Sequence, residues 1–120
     1  MKKLMNLIAA ATLMIAATVS TQALAHAKLQ TAMPAAGSTG PSPKTIMLHF
    51  NEKMAAKLSS FDITTADGAK IDVTPTVDSS GMMMTAKPKA PLAPGLYKVN
   101  WHAVTSDGHR VTGEFTFTVK

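Results

Sequence analysis

Hydrophobic and polar residues alternate with a period of two through most of the chain after residue 44. Ile46, Leu48 and Phe50 alternate with Thr45, Met47 and His49, and Phe61 and Ile63 with Asp62 and Thr64. Ile71 and Val73 flank Asp72. Tyr97, Val99, Trp101 and Ala103 alternate with Leu96, Lys98, Asn100 and His102, and Phe115, Phe117 and Val119 with Glu114, Thr116, Thr118 and Lys120. Each run predicts an antiparallel strand with one face buried and one in water. Turn-forming residues separate the runs: Pro34 and Gly37, Gly40-Pro41-Ser42-Pro43, Asp67-Gly68, Ser79-Ser80-Gly81, Pro88 and Gly95, and Asp107-Gly108. Asp67-Gly68 between two alternating runs is a hairpin signal. About seven short strands are expected, in an all-β fold: a small β-sandwich or barrel with Greek-key connections. The segment 52–58 is the single candidate for a helical turn, and Trp101 is the expected core anchor.

The first 25 residues break this pattern. Lys2 and Lys3 precede a stretch, 4–19, that is apolar apart from Asn6, Thr12 and Thr18. Ala23-Leu24-Ala25 then supplies a small-x-small cleavage pattern. This is the layout of a secretory signal peptide, so residues 1–25 are expected to be removed and 26–120 to form one exported domain. The leader looks bacterial, which places the product in the periplasm. The chain has no cysteine, so neither disulfides nor thiolate metal sites are available. Without Lys2 and Lys3, ten basic residues face seven acidic ones, a net charge of +3. The basic residues are scattered and nearly all lysine, which predicts a solvated surface and no nucleic-acid partner.

Cleavage after Ala25 would make His26 the first residue. Its free amine and its ring Nδ1 could then close a six-membered chelate on a metal ion. The four histidines are His26, His49, His102 and His109. Asp107-Gly108-His109 sets two further ligands at i and i+2, which project to one side of an extended segment. Amine, two imidazoles and a carboxylate make a set of three nitrogens and one oxygen, which suits Cu(II). Taken alone, Asp-Gly-His is more often a hairpin turn than a site. The combination with an N-terminal histidine in a cysteine-free exported β domain is what points to metal.

The residues His26, Leu29, Pro34-Ala35-Ala36-Gly37-Ser38 and Leu48-His49-Phe50-Asn51-Glu52, with the block 95–109, Gly113 and Phe115-Thr116-Phe117, resemble the CopC family of periplasmic copper-resistance proteins. The resemblance covers essentially all of 26–120. It implies a small Greek-key β-sandwich, immunoglobulin-like or cupredoxin-like. It also implies one Cu(II) bound by His26 through amine and ring, by Asp107 and by His109. Glu52 matches an acidic position near that site. It could orient His26 or His109 or be a plain surface acid. Some members carry a Met- and His-rich Cu(I) loop. The matching stretch here, 61–74, has neither residue, so a separate Cu(I) site is not expected. Met82-Met83-Met84 is the tempting substitute, since thioethers are soft ligands, but methionine is also an ordinary gap-filler. Met33, Met47 and Met54 read as packing. His49 and His102 fall out of phase with the apolar positions, on solvent-facing sides.

The expected role is Cu(II) sequestration or carriage by a monomer, without catalysis, with an inner-membrane copper transporter as a candidate acceptor. Two other classes stay open. One is a copper oxygenase built on the same amine-plus-two-histidine chelate. The other is a metal-free β-sandwich adaptor.

Overall fold

The structure, a computed structural model, describes residues 27–120; the leader-like segment and His26 lie outside the described residues. Nine strands are present among them: β1 Leu29–Met33, β2 Thr39–Gly40, β3 Ile46–Phe50, β4 Ser60–Thr65, β5 Lys70–Ile71, β6 Thr76–Val77, β7 Met83–Ala86, β8 Gly95–Val104 and β9 Arg110–Val119. A short 3₁₀ turn, Ala56–Leu58, falls inside the segment expected to hold a helical turn. Strands β1-β3-β7-β6 form one sheet and β2-β9-β8-β4-β5 the other. The two sheets are separate, so the fold is a sandwich rather than a closed barrel. Connections such as β3–β4, β5–β6 and β7–β8 carry the chain from one sheet to the other, as a Greek-key layout requires.

The period-two pattern decides what is inside. Ile46, Leu48 and Phe50 of β3 are each 0 % exposed, while Met47 and His49 between them are half-buried on the outer side. Tyr97, Val99, Trp101 and Ala103 of β8 are buried in the same way, opposite Lys98, Asn100 and His102. Phe61, Ile63, Met84, Phe117 and Val119 complete the core. Phe50 meets Trp101 edge-on across the two sheets, with ring centroids 5.0 Å apart. Tyr97 stacks on Phe117 at 5.6 Å and donates its hydroxyl to the carbonyl of Ala93.

Trp101 is opposite Gly113 in the β8–β9 pairing. A Cβ at Gly113 would lie 2.4 Å from Cζ2 of the indole. The indole therefore occupies the space that a side chain on β9 would need, which is why glycine stands in the middle of that strand.

One contact lies outside the alternating runs: β2 pairs in parallel with the end of β9, Thr39 with Thr118 and Gly40 with Val119. A two-residue strand inside a Gly-Pro turn signal shows no alternation to read.

Candidate metal site

Strands β8 and β9 pair over ten residue pairs, ending at Val104 and Arg110. Residues 105–109 close the hairpin. The Thr105 amide donates to the His109 carbonyl at 2.9 Å, and the Gly108 amide donates back to the Thr105 carbonyl at 2.9 Å. Gly108 has φ +90°, a conformation that glycine adopts at little cost. Both candidate ligands, Asp107 and His109, are exposed on this turn. His109 Nδ1 is 3.3 Å from Asp107 Oδ2.

Thr105 is a residue that sequence reasoning did not single out. It is 2 % exposed, and its hydroxyl donates a short hydrogen bond to Asp107 Oδ1. That bond, chiefly, holds the Asp107 carboxyl below its usual range; the His109 amide and the His109 ring push the same way. The signal was present as Thr-x-Asp-Gly, since a hydroxyl or carboxylate two residues ahead commonly fastens a turn.

The same turn occurs a second time in the molecule. In 65–69, which joins β4 to β5, the Thr65 hydroxyl donates to Asp67 Oδ1. Gly68 has φ +91°, its amide reaches the Thr65 carbonyl at 2.9 Å, and the Thr65 amide reaches the Ala69 carbonyl at 2.8 Å. The Asp67 carboxyl is also lowered, first by the Thr65 hydroxyl. Thr65 pairs with Tyr97 near the start of β8, whereas Thr105 follows its end, so the two turns mark opposite ends of one sheet. Their shared geometry is hairpin construction, not a signature of metal binding. They differ at the second position, Ala66 against Ser106, and at the fifth, where Ala69 stands in one and the imidazole of His109 in the other.

The end that carries His109 is also where the described chain begins. Ala27 is 2 % exposed, within the core cluster. The Lys28 amide donates to Asn51 Oδ1 at 2.7 Å, the Asn51 amide returns to the Lys28 carbonyl at 3.1 Å, and Leu29 pairs with Phe50. Just beyond Asn51, Met54 forms an isolated bridge to Thr105 and the Ala55 amide donates to the Val104 carbonyl at 2.7 Å. Glu52 lies half-buried in this loop, between Asn51 and Met54.

The other histidines are elsewhere. His102 is on the outer face of the five-stranded sheet, between Ser60 and Thr112. His49 is on the outer face of the four-stranded sheet, between Thr31 and Met83. Among the described residues no three or more His, Cys, Asp and Glu side chains gather to hold an ion. Within 27–120, Asp107 and His109 are thus a pair of candidate donors that no third such side chain joins.

Residues 29–120 match the model of the CopC domain. The chain is 39 % identical to copper resistance protein C of Pseudomonas syringae pv. tomato, over 85 % of this chain and 86 % of that protein. It is 36 % identical to copper resistance protein C of Escherichia coli, over 85 % and 87 %. Among solved structures, it superposes on PcoC, a methionine-rich copper resistance protein from Escherichia coli, with a TM-score of 0.75 at 34 % identity, covering 80 % of this chain and 100 % of that one. CopC from Methylosinus trichosporium OB3b gives a TM-score of 0.74 at 30 % identity, covering 79 % and 94 %. With the sandwich, its turns and these relatives in agreement, the chain belongs to the CopC family.

Proposed function

We propose that the protein is an exported copper carrier. It holds one Cu(II) through the amine and ring of His26, freed by cleavage after Ala25, together with Asp107 and His109. The observation that carries this reading is a juxtaposition. The turn bearing Asp107 and His109 belongs to the same end of the sandwich at which Ala27 is anchored. Imidazole, amine and carboxylate donors suit Cu(II), and copper heads the divalent affinity series. Relatives named for copper resistance over most of their length support copper as the cargo. Binding and release suffice for this role, and no bond-making step is required of the chain. The leader supports a periplasmic location.

The test is to place one extra alanine between Ala25 and His26, so that processing leaves His26 internal. The fold should survive, and Cu(II) affinity, read by competition with a chelator of known affinity, should fall by at least about tenfold. Unchanged affinity in a protein whose N-terminal alanine is confirmed by intact mass would remove the amine from the ligand set.

A further inference from the structure

We propose that the protein pairs with a second copy of itself along the open edge of β9, strand against antiparallel strand, about a two-fold axis at Thr112. β9 has β8 on one side over its whole length, from Arg110 to Val119. On the other side, among the described residues, the segment 37–40 covers it only from Thr116 onward. There the Gly37 amide donates to the Thr116 carbonyl at 2.7 Å, and the Thr118 amide donates to the Ser38 carbonyl at 2.9 Å. Residues 110–115 are left as an uncovered edge. Backbone groups alternate sides along a strand, so those of Arg110, Thr112 and Glu114 point the same way as those of Thr116 and Thr118, away from β8. Such a row of outward amides and carbonyls is a template for another strand.

The side chains of this row select the strand that fits. Arg110, Thr112 and Glu114 are exposed and alternate with half-buried Val111, Gly113 and Phe115. The pattern Arg-x-Thr-x-Glu is complementary to its own reverse. With Thr112 opposite Thr112 of the second copy, Arg110 faces Glu114 of that copy and Glu114 faces its Arg110. All three positions are bonding pairs, each exchanging two amide-to-carbonyl bonds, and an ion pair closes each end. Directly opposed Cβ atoms are about 4.5–5.5 Å apart, within reach of a planar guanidinium that grips a carboxylate with two nitrogens. A slip of two residues sets Arg110 opposite Thr112 in one direction. In the other it sets Arg110 opposite Thr116, which segment 37–40 already covers.

Arg110 is the sole arginine of the chain, and none of the ion pairs among the described residues uses it. Glu114 meets Lys98 at 3.5 Å, but an exposed pair of that kind contributes little, and a carboxylate can accept from both cations. The other sheet edges offer no such match: β1 carries no charged residue, and β2, β5 and β6 are two residues long. In the pair, each His109 is three residues from the axis, so the two are about 20 Å apart along the strands and share no ion. The association therefore needs no metal and uses none of the ligands proposed for Cu(II). It replaces the monomer expected from the sequence with a reversible pair.

The experiment uses the processed, metal-free protein in a dilution series followed by sedimentation equilibrium and amide NMR. Association is expected, with concentration-dependent shifts larger at the Arg110, Thr112 and Glu114 amides than at Val111 and Gly113, whose amides point to β8. Arg110→Glu and Glu114→Arg should each weaken self-association by at least about tenfold, because the two-fold repeats every contact and each change sets like charges opposite one another at both ends. An equimolar mixture of the two variants should associate as tightly as the parent, since an acidic edge then meets a basic one. Trp101 emission checks that each variant is folded. A protein that stays monomeric up to about 1 mM, shifts confined to another edge, or a mixture no tighter than either variant alone would each overturn the proposal. The dilution series on the unaltered protein decides the matter even if a variant fails to fold.

Discussion

Gly113→Ala is the substitution whose cost the structure defines most sharply. A methyl group there would lie 2.4 Å from Cζ2, 2.6 Å from Cε2 and 2.9 Å from Nε1 of Trp101. All three are separations that carbon and nitrogen do not tolerate, and the obstacle is a rigid ring rather than a flexible tip. The indole is 8 % exposed and wedged against Phe50, so it has nowhere to retreat without disturbing the joint between the sheets. Forcing a methylene into a packed core costs about 1–3 kcal/mol. The alanine also removes backbone freedom from the unfolded chain, which is worth about 0.4–1 kcal/mol in the opposite direction. A net loss of about 1–2 kcal/mol is expected. For a domain of this size that lowers Tm by about 5–15 °C. The assay is thermal and urea unfolding followed by Trp101 emission, with Gly40→Ala as the control. Gly40 has ordinary backbone angles and open space around its missing Cβ, so alanine there should be neutral or slightly stabilising. If Gly113→Ala matches Gly40→Ala, the indole does not rest on Gly113 and the packing argument fails.

The remaining predictions concern the end that carries Asp107 and His109. Thr105→Val removes the hydroxyl that stabilises the ionised Asp107 carboxyl, so that carboxyl should titrate closer to the usual carboxylate value by NMR. Because the folded value is the lowered one, the stabilisation from this bond is present above the usual carboxylate range and disappears as pH falls through the folded value; a valine variant that titrates like the parent would contradict the assignment. His109→Ala should reduce Cu(II) affinity by more than about 100-fold, beyond the about 10–100-fold typical of groups that only orient a ligand, with His49→Ala and His102→Ala near the parent. Equal losses at His102 and His109 would move the site to the sheet face around Asn100.

The longer strands were legible because their burial follows a local rule. Tyr97, Val99, Trp101 and Ala103 announce an inward face by spacing alone, and the structure buries all four. Asp67-Gly68 and Asp107-Gly108 were legible as turns for the same reason, since an αL glycine after aspartate is a local demand. What spacing cannot supply is register. Met33 and Met47 read as scattered packing along the chain, yet β1 and β3 set them side by side. The parallel contact of β2 with β9 depends on where a distant strand ends, and two residues carry no period. Thr105 was missed because a threonine at a strand end looks ordinary until its burial and its bond to Asp107 are known. Only the sequence speaks for His26.

The anchoring of Ala27 has a consequence for how a residue-26 ligand would be delivered. Residue 26 is one peptide unit from a core residue, so its Cα stays about 3.8 Å from a fixed point. On a flexible ten-residue leash it would range over about 17 Å, a volume about ninety-fold larger. A short tether raises the effective concentration of whatever stands at position 26 by that order, with no new contact made. The site of the proposed leader cleavage would thus set more than which residue carries the free amine. It would set how dilute that amine is with respect to the turn at 105–109, and a cut several residues upstream would lengthen the amine's tether and so weaken the proposed site.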